Sequence, residues 1–403
     1  MRIKVIADDG RPLAASVAVR VTMGKRANQG LNLRVDQAAG VALDAFDPAD
    51  PLDAHVVPDE PGYWSTYVPD IRSAREIVCH RMSGLVPPWW HQLLGQAVGE
   101  RGRGAGIRIG VADVGFQPDG SLTGVRFVAP ADGPALRGGD LSHGEAICRI
   151  LHDRSAPPSC APVAPGSDLI FIDAAFSPVT VADAAFIPPA SRSPDSTRAI
   201  DPKAVANAIF ELALSHDVHI VNLSLGIYDP GIADTGVAEA IRTAADAGAL
   251  VICAAGNRPG PAAFPARLPD CVGVAAFGSP EWTPKGSFAR EFGTASPGGE
   301  GTWRGHRLHH WRQSASGDGV DTIAPGIGIL IARDGVPFME MAGTSFAAPI
   351  VAGLLAVELA GDGAYLDLPP SRARMQYARA RLMELCAPTG MRPSLEGRGL
   401  AAR

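Results

Sequence analysis

Hydrophobic and polar residues alternate with a period of two along roughly the first eighty residues of the chain. Loops rich in Pro, Asp and Gly separate the alternating segments, and none of these segments shows a helical period. The predicted strands are residues 2–6, 16–21, 31–35, 41–43, 63–67 and 75–79. The pattern therefore predicts a small all-β domain, a β-sandwich, over residues 1–84.

From residue 85 to residue 403, buried strands alternate with amphipathic or fully apolar helices. Strands are predicted at 107–112, 169–172, 219–223, 250–254, 272–275 and 322–324, and helices at 201–214, 237–247, 345–360 and 371–385. This alternation predicts an α/β fold with a doubly wound, mostly parallel sheet flanked by helices. Two segments interrupt it and are predicted to be surface insertions: 175–200, rich in Pro, Ser and Ala, and 294–318, rich in Gly, Trp and His.

Composition narrows the class of protein. Of 403 residues, 46% are hydrophobic and 19% charged, and no apolar run reaches the ~18 residues of a membrane span. The net charge of −6 argues against nucleic-acid binding. Six scattered cysteines without a CxxC pair indicate free thiols. Charges interrupt residues 1–9 too early for a secretory signal, which favours a cytoplasmic location, while the oligomeric state stays open.

A Gly-Thr-Ser turn at 343–345 precedes a run that is apolar on all faces, residues 346–355. Such a run predicts a buried helix, with Thr344 or Ser345 as its cap and Pro349 in its first turn. The Ser345 hydroxyl then lies at the positive end of the helix dipole, among backbone N–H groups that suit a developing oxyanion. An N-cap serine explains the turn equally well, so a nucleophile requires partners elsewhere in the chain.

Three other polar residues follow predicted strands or begin a predicted helix. Asp113 follows the strand 107–112, Asn257 follows the strand 250–254, and His143 begins a helical pattern. Each alone is typical of a turn or cap, but the carboxyl ends of parallel strands meet at one edge of a sheet. An acid, a histidine, an amide and Ser345 are together the groups that acyl transfer requires.

These residues lie in segments that resemble the motifs of the subtilisin-like serine proteases (subtilases). In chain order, the matching segments are 111–115, 143–144, 222–226, 255–257, 264–266, 323–326 and 343–349. The resemblance covers about residues 88–390. It implies a serine endopeptidase that acts on protein or peptide substrates. We expect a restricted substrate choice, because the two insertions would narrow access to the cleft.

The resemblance also implies a role for each of the four polar residues. Ser345 would attack the peptide carbonyl, and His143 would take its proton. Asp113 would orient the imidazole, and the Asn257 side chain would receive the oxyanion together with the N–H of Ser345.

The substrate site implied by the resemblance is a strand end and an adjacent pocket. The implied substrate-binding residues are Ser224, Leu225, Gly226, Ala255, Gly256 and Ala263. Residues 224–226 would pair with the substrate backbone as an added strand. Because Ala263 would lie near the floor of the pocket and is small, we expect a roomy apolar pocket for Leu, Met or Phe.

Two departures from the subtilase motifs leave an alternative open. Val114 replaces the usual Ser or Thr after the aspartate, and Glu145 and Ala146 follow His143-Gly144 in place of Thr-His. A carboxylate beside His143 could raise its pKa or form a competing hydrogen bond. The alternative is a catalytically silent subtilisin fold that binds a protein or peptide. Residues 1–84 do not resemble the α/β propeptide of exported subtilases, which favours a permanent accessory domain over a pro-like one.

No pattern in the sequence calls for a cofactor. The histidines His306, His309 and His310 match no standard zinc spacing and favour an exposed basic and aromatic loop. Structural calcium is frequent in subtilases, but the acidic residues here are too dispersed to name ligands. We therefore predict no catalytic metal.

Overall fold

A computed structural model gives the fold of the chain. It describes residues 2–23, 29–37, 40–82, 88–95, 102–115, 122–128, 142–176, 199–200, 202–228, 236–291 and 297–402. Most of the predicted insertion at 175–200 lies outside these residues. Within them, no helix combines the length and apolarity needed to cross a bilayer.

The N-terminal part of the chain is built from β-strands. They are β1 (Arg2–Ala7), β2 (Ala15–Val21), β3 (Gly30–Val35), β4 (Val41–Ala42), β5 (Leu52–Pro58), β6 (Thr66–Val68) and β7 (Glu76–Cys79). Among the described residues they form two sheets, in the orders β4-β1-β7 and β3-β2-β5-β6. Every second side chain of β2 is buried, and these side chains join one hydrophobic cluster with those of β1 and β5. The predicted all-β N-terminal unit is confirmed.

Among the described residues, eleven of the remaining strands form a large central sheet, and the other four form two separate two-stranded sheets. In chain order, the remaining strands are β8 (Arg108–Asp113), β9 (Val125–Val128), β10 (Asp168–Asp173), β11 (Ala175–Phe176), β12 (Ala199–Ile200), β13 (Ile220–Leu223), β14 (Leu250–Ala254), β15 (Cys271–Gly278), β16 (Glu300–Trp303), β17 (His306–His310), β18 (Thr322–Pro325), β19 (Ile327–Arg333), β20 (Val336–Ala342), β21 (Cys386–Ala387) and β22 (Leu400–Ala401). The order across the central sheet is β21-β22-β18-β15-β14-β13-β8-β10-β9, and the strands from β22 to β9 pair in parallel.

Helices cover the central sheet. They are α1 (Trp89–Leu93), α2 (His143–His152), α3 (Pro202–Leu214), α4 (Val237–Asp246), α5 (Phe288–Glu291), α6 (Thr344–Ala360), α7 (Gly363–Leu366), α8 (Arg372–Leu385) and α9 (Pro393–Glu396). The side chains of the helices and the central strands share one hydrophobic cluster. The predicted doubly wound, mostly parallel α/β fold is confirmed.

Helix α6 is buried along nearly its whole length, as its apolar sequence predicts. Its start differs from the prediction, because the N-cap residue is Gly343, which has no side chain to cap the helix. Thr344 is already the first helical residue, and Pro349 is the sixth rather than part of the first turn. A proline at that depth removes one hydrogen bond of the helix.

The described part of the predicted insertion at 294–318 contains a hairpin rather than an exposed loop. Strand β16 pairs with β17, and β17 pairs antiparallel with the end of β15. His309 and His310 are buried as a result, and burial lowers the pKa of each to about 4. The pairing of β17 with the end of β15 explains why these two histidines are not on the surface.

The N-terminal strands contact the α/β part through the segment that begins β6. The N–H of Phe288 donates to the carbonyl of Ser65 (2.8 Å), and the N–H of Tyr67 donates to the carbonyl of Gly286 (3.0 Å). Both the N–H and the hydroxyl of Ser65 donate to one carboxylate oxygen of Glu340, at 3.2 and 2.9 Å. Since Glu340 lies in β20, the N-terminal sheet is bound to the strand that leads into α6.

Candidate active site

Three of the predicted site residues lie at one edge of the central sheet. Strands β8, β13 and β14 are adjacent and parallel, so their carboxyl ends meet. Asp113 ends β8, while Ser224 and Asn257 follow β13 and β14. Helix α6 begins at the same edge, because Ser224 is hydrogen-bonded to the second residue of that helix, Ser345.

Asp113 and His143 form a hydrogen-bonded pair. The imidazole Nδ1 lies 2.7 Å from Oδ1 of Asp113, and Asp113 is 2% exposed. The N–H of Val114 also donates to Oδ1 (2.7 Å), and the carbonyl of Val114 accepts from the N–H of Gly144 (2.9 Å). With Val114 in place of a hydroxyl residue, Asp113 Oδ2 has no hydrogen-bond partner in the described part of the chain. These bonds fix the start of α2 against the end of β8.

The partner of Nδ1 determines the chemistry of His143. A carboxylate only accepts hydrogen bonds, so Nδ1 carries the proton and a neutral imidazole keeps Nε2 as its base. Burial lowers the pKa of His143. The negative charge of Asp113 and the hydrogen bond with Asp113 raise this pKa, and together they outweigh the effect of burial. The net pKa lies above the usual 6.5, as suits a general base.

Glu145 points to an arginine rather than to His143. Arg149 donates to Oε1 of Glu145 through Nε (2.9 Å) and Nη2 (2.7 Å), and through Nη1 to Asp153 (2.8 Å). Arg149 is 2% exposed, so this ion pair is held inside α2. Glu145 therefore does not form the competing hydrogen bond to His143 that its position in the sequence suggested.

The carbonyl of Ser345 is bonded outside its own helix. In a regular helix this carbonyl would accept from the residue four positions later, but Pro349 has no N–H. Instead Ser224 Oγ donates to it (2.7 Å), and Ser224 Oγ in turn accepts from the Asn222 side-chain amide (2.9 Å). The proline and the serine together bind the start of α6 to the end of β13.

The orientation of the Asn257 side chain follows from its partners. Oδ1 accepts from the N–H of Thr344 (2.9 Å) and from the Thr344 hydroxyl (2.8 Å), which itself accepts from the N–H of Gly256 (3.0 Å). Because a backbone N–H can only donate, the atom facing Thr344 must be the amide oxygen. Nδ2 then faces Gly343, where a Cβ atom would lie 3.3 Å from it. An N–H donor is thus held two residues from Ser345.

The imidazole and the start of α6 are neighbours. The His143 ring lies 5.5 Å from the ring of Phe346, the residue after Ser345. Among the described residues, no hydrogen bond joins Ser345 Oγ to His143. Contacts between a base and a nucleophile often tighten only when substrate is bound.

The sequence profile of the Subtilase family (Peptidase_S8) matches residues 104–376, more than half of the chain and all the site residues described above. The chain belongs to the subtilase family. The M-protease of Shouchella clausii (strain KSM-K16) is 25% identical over 257 residues, which are 63% of this chain and 54% of that protein. Subtilisin Savinase of Lederbergia lenta is also 25% identical over 257 residues, which are 63% of this chain and 76% of that protein. The chain thus spans about half the length of the M-protease.

Solved structures agree with the subtilase fold. A mutant of the protease domain of PatA is 22% identical, with a TM-score of 0.52 over 75% of this chain and 94% of that one. The MycP3 protease of the type VII (ESX-3) secretion system is 21% identical, with a TM-score of 0.53 over 80% of this chain and 88% of that one. At this level of identity the likeness shows the fold.

The residues expected to form the substrate site of this subtilase are close to one another. Ala263 N–H donates to the carbonyl of Ala255 (2.7 Å), and a Cβ built on Gly226 would lie 2.8 Å from the Cβ of Ala263. Tyr228 also lies beside these residues, which was not predicted from the sequence. Tyr228, two residues after Gly226, accepts the N–H of Asn257 at 2.5 Å. An aromatic residue so close to the substrate strand was the available signal.

The described residues of this subtilase contain no cluster of three or more His, Cys, Asp or Glu that could hold a metal. His306 Nδ1 lies 3.0 Å from a carboxylate oxygen of Glu281 instead. The family resemblance allows for a structural calcium ion, but its ligands remain unassigned.

Proposed function

We propose that this subtilase is a serine endopeptidase that cleaves peptide bonds through Asp113, His143 and Ser345. The observation that carries the proposal is the hydrogen-bonded pair of buried Asp113 and partly exposed His143 beside the start of α6, where Ser345 lies. Its relatives carry the names of proteases, and that likeness supports the same reaction class.

In the proposed reaction, His143 Nε2 takes the hydroxyl proton as Ser345 Oγ bonds to the substrate carbonyl carbon. Asp113 stabilises the resulting imidazolium. The proton then passes from Nε2 to the leaving amine as the C–N bond breaks. Water, deprotonated by the same nitrogen, next hydrolyses the acyl-enzyme and restores Ser345.

Asn257 Nδ2 and the N–H of Ser345 would receive the oxyanion. The orientation imposed by Thr344 supports this role, because it presents Nδ2 before the reaction begins. A preorganised donor stabilises the transition state more than the ground state, which is the requirement for catalysis.

The substrate would be a protein or peptide in an extended conformation. Residues 224–226 continue from β13 past the sheet edge, where an added strand can pair with their backbone. Such pairing uses only main-chain groups, so specificity would come from the adjacent pocket.

A fluorophosphonate probe tests the proposal, because it reacts with activated serines. We expect the parent protein to gain the mass of the probe at Ser345, located by peptide mapping, and the Ser345→Ala variant to gain none. A serine on another element, Ser371 at the start of α8, gives the matched control Ser371→Ala, which should label like the parent. If the parent protein, like the Ser345→Ala variant, gains no probe mass, the result would favour the alternative of a catalytically silent binding module.

A further inference from the structure

Two glycines flank the space where the first substrate side chain would enter. In the proposed function the scissile carbonyl lies at Asn257, and the substrate backbone runs along 224–226. The side chain before the scissile bond then enters between Gly226 and Gly256. What lies between these glycines determines the size of the side chain that fits.

That space is already narrowed by two side chains. A Cβ built on Gly226 would lie 2.8 Å from the Cβ of Ala263. A Cβ built on Gly256 would lie 2.6 Å from the hydroxyl oxygen of Tyr228, 3.2 Å from its Cζ and 3.2 Å from Ala263. Both glycines therefore face groups in contact range: Ala263 lies against both of them, and the phenol of Tyr228 lies against Gly256.

Tyr228 is held in this position from two sides. Its hydroxyl accepts the N–H of Asn257 (2.5 Å), and the guanidinium of Arg258 lies 4.4 Å from its ring centroid. The neighbouring Ile227 is paired with Phe264 through backbone bonds of 2.7 and 3.1 Å. A larger substrate side chain would have to displace the ring and break the bond to Asn257.

We propose that Tyr228 sets the size limit of the first substrate pocket, so that Gly, Ala or Ser is preferred immediately before the scissile bond. The inference rests on the proposed peptidase function and identifies its specificity-determining residue. It replaces the roomy pocket expected from Ala263 alone, since that expectation took no account of Tyr228. Tyr228 also supports the loop that carries Asn257 through its hydroxyl.

Three proteins separate these two contributions of Tyr228: the parent, Tyr228→Ala and Tyr228→Phe. Each is treated with two diphenyl phosphonate inhibitors that are identical except for an alanine-like or a phenylalanine-like side chain next to phosphorus. Ser345 Oγ bonds to phosphorus and phenoxide leaves, so the rate of mass gain reports the fit of that side chain. A fluorophosphonate without such a side chain reports the activation of Ser345 separately.

The parent is expected to react at least about tenfold faster with the alanine-like inhibitor, and Tyr228→Ala to reverse this preference. Tyr228→Phe keeps the ring and loses the acceptor for Asn257, so its rates with both inhibitors fall together while their ratio stays that of the parent. A parent that reacts faster with the phenylalanine-like inhibitor, or a ratio unchanged in Tyr228→Ala, overturns the inference and leaves the proposed function intact. No reaction of the parent with the fluorophosphonate overturns both.

Discussion

At the scale of single residues, Thr344 is the side chain that orients the proposed oxyanion donor. Its hydroxyl and N–H both bind Oδ1 of Asn257. Thr344→Val removes only the hydroxyl, so the amide keeps one anchor. We expect kcat to fall about tenfold with a peptide substrate, which corresponds to about 1.4 kcal/mol of transition-state stabilisation. Losing an oxyanion donor outright typically costs more, ~3 kcal/mol.

The Asn257→Ala variant provides the control for this prediction. If Thr344 acts through Asn257, then Thr344→Val should cost little further activity when Asn257 is already alanine. Independent, multiplicative losses in the double variant would show that Thr344 affects the reaction by another route.

The His143 pair leads to a prediction about pH. A general base must be neutral, and the charge of and hydrogen bond to Asp113 favour the protonated imidazole, outweighing the opposite effect of burial. The proton is therefore lost only above the ordinary pKa of 6.5. We expect kcat/KM to rise with pH and to reach half its plateau above pH 6.5.

The Asp113→Asn variant should move this midpoint down, because the neutral amide no longer stabilises the imidazolium. Its turnover is expected to drop by about 10⁴, so the rate of fluorophosphonate labelling is the practical readout. A midpoint that is the same in both proteins would assign the ionisation to another group.

Sequence patterns located the residues at strand ends but not their partners. Asp113, Asn257 and Ser345 stand out because each interrupts an apolar segment at a strand or helix boundary. The ion pair of Glu145 with Arg149 joins residues four apart on one helix, a spacing that the sequence already shows. The contact of Tyr228 with Asn257, by contrast, depends on side-chain directions in three dimensions. No period in the sequence encodes such directions.

At the scale of elements, the start of α6 depends on the match between Pro349 and Ser224. In a Ser224→Ala variant the carbonyl of Ser345 loses its donor, which should cost about 1–3 kcal/mol of unfolding free energy. Adding Pro349→Ala supplies an N–H at the helical position. We therefore expect Pro349→Ala to stabilise the Ser224→Ala protein more than it stabilises the parent.

Urea unfolding of the parent, the two single variants and the double variant measures this coupling. Pro349→Ala in the parent background is the control, because it includes the general benefit of removing a proline from a helix. Strictly additive free energies would show that the two residues do not share the Ser345 carbonyl.

Six strands of the central sheet and four helices of the α/β part follow from their apolar patterns, whereas a strand of the N-terminal part that contains a buried polar residue was not predicted. The strand β5 (Leu52–Pro58) lies between β2 and β6, yet Asp53 interrupts its apolar pattern. Asp53 is buried because Arg20 and the Tyr67 hydroxyl bind its carboxylate. A local pattern assigns such a residue to a loop, since the partners that allow its burial lie elsewhere in the chain.

At the scale of the whole molecule, the N-terminal sheet and the α/β part meet at an ionisable group that is shielded from water. Burial raises the pKa of Glu340 to about 7, although hydrogen bonds from Ser65 and Ala289 lower it. At the same contact, His55 stacks on Phe288 at 4.0 Å, and burial lowers its pKa to about 4. Burial thus favours the uncharged form of both the acid and the base.

These two shifts act on stability in opposite directions. The folded protein holds the Glu340 proton more tightly than the unfolded chain, whose glutamates titrate near 4.5, so this contribution is complete below pH 4.5 and is lost as the pH rises through 7. His55 behaves oppositely, because its contribution is present above pH 6.5 and is lost as the pH falls through 4. The pH profile of the parent alone therefore cannot assign either effect.

The Glu340→Gln variant isolates the glutamate, because an uncharged amide can still accept both hydrogen bonds from Ser65. We expect the unfolding free energy of the variant, relative to the parent, to rise by on the order of 3 kcal/mol between about pH 4.5 and about pH 8. Urea unfolding at both pH values measures the difference, and the His55 contribution cancels because both proteins carry it. An exposed glutamate changed in the same way, Glu239→Gln in α4, should show no such rise. If the difference between Glu340→Gln and the parent does not change with pH, then Glu340 titrates in the folded protein as it does in the unfolded chain, and the contact between the N-terminal sheet and β20 does not depend on a protonated carboxyl.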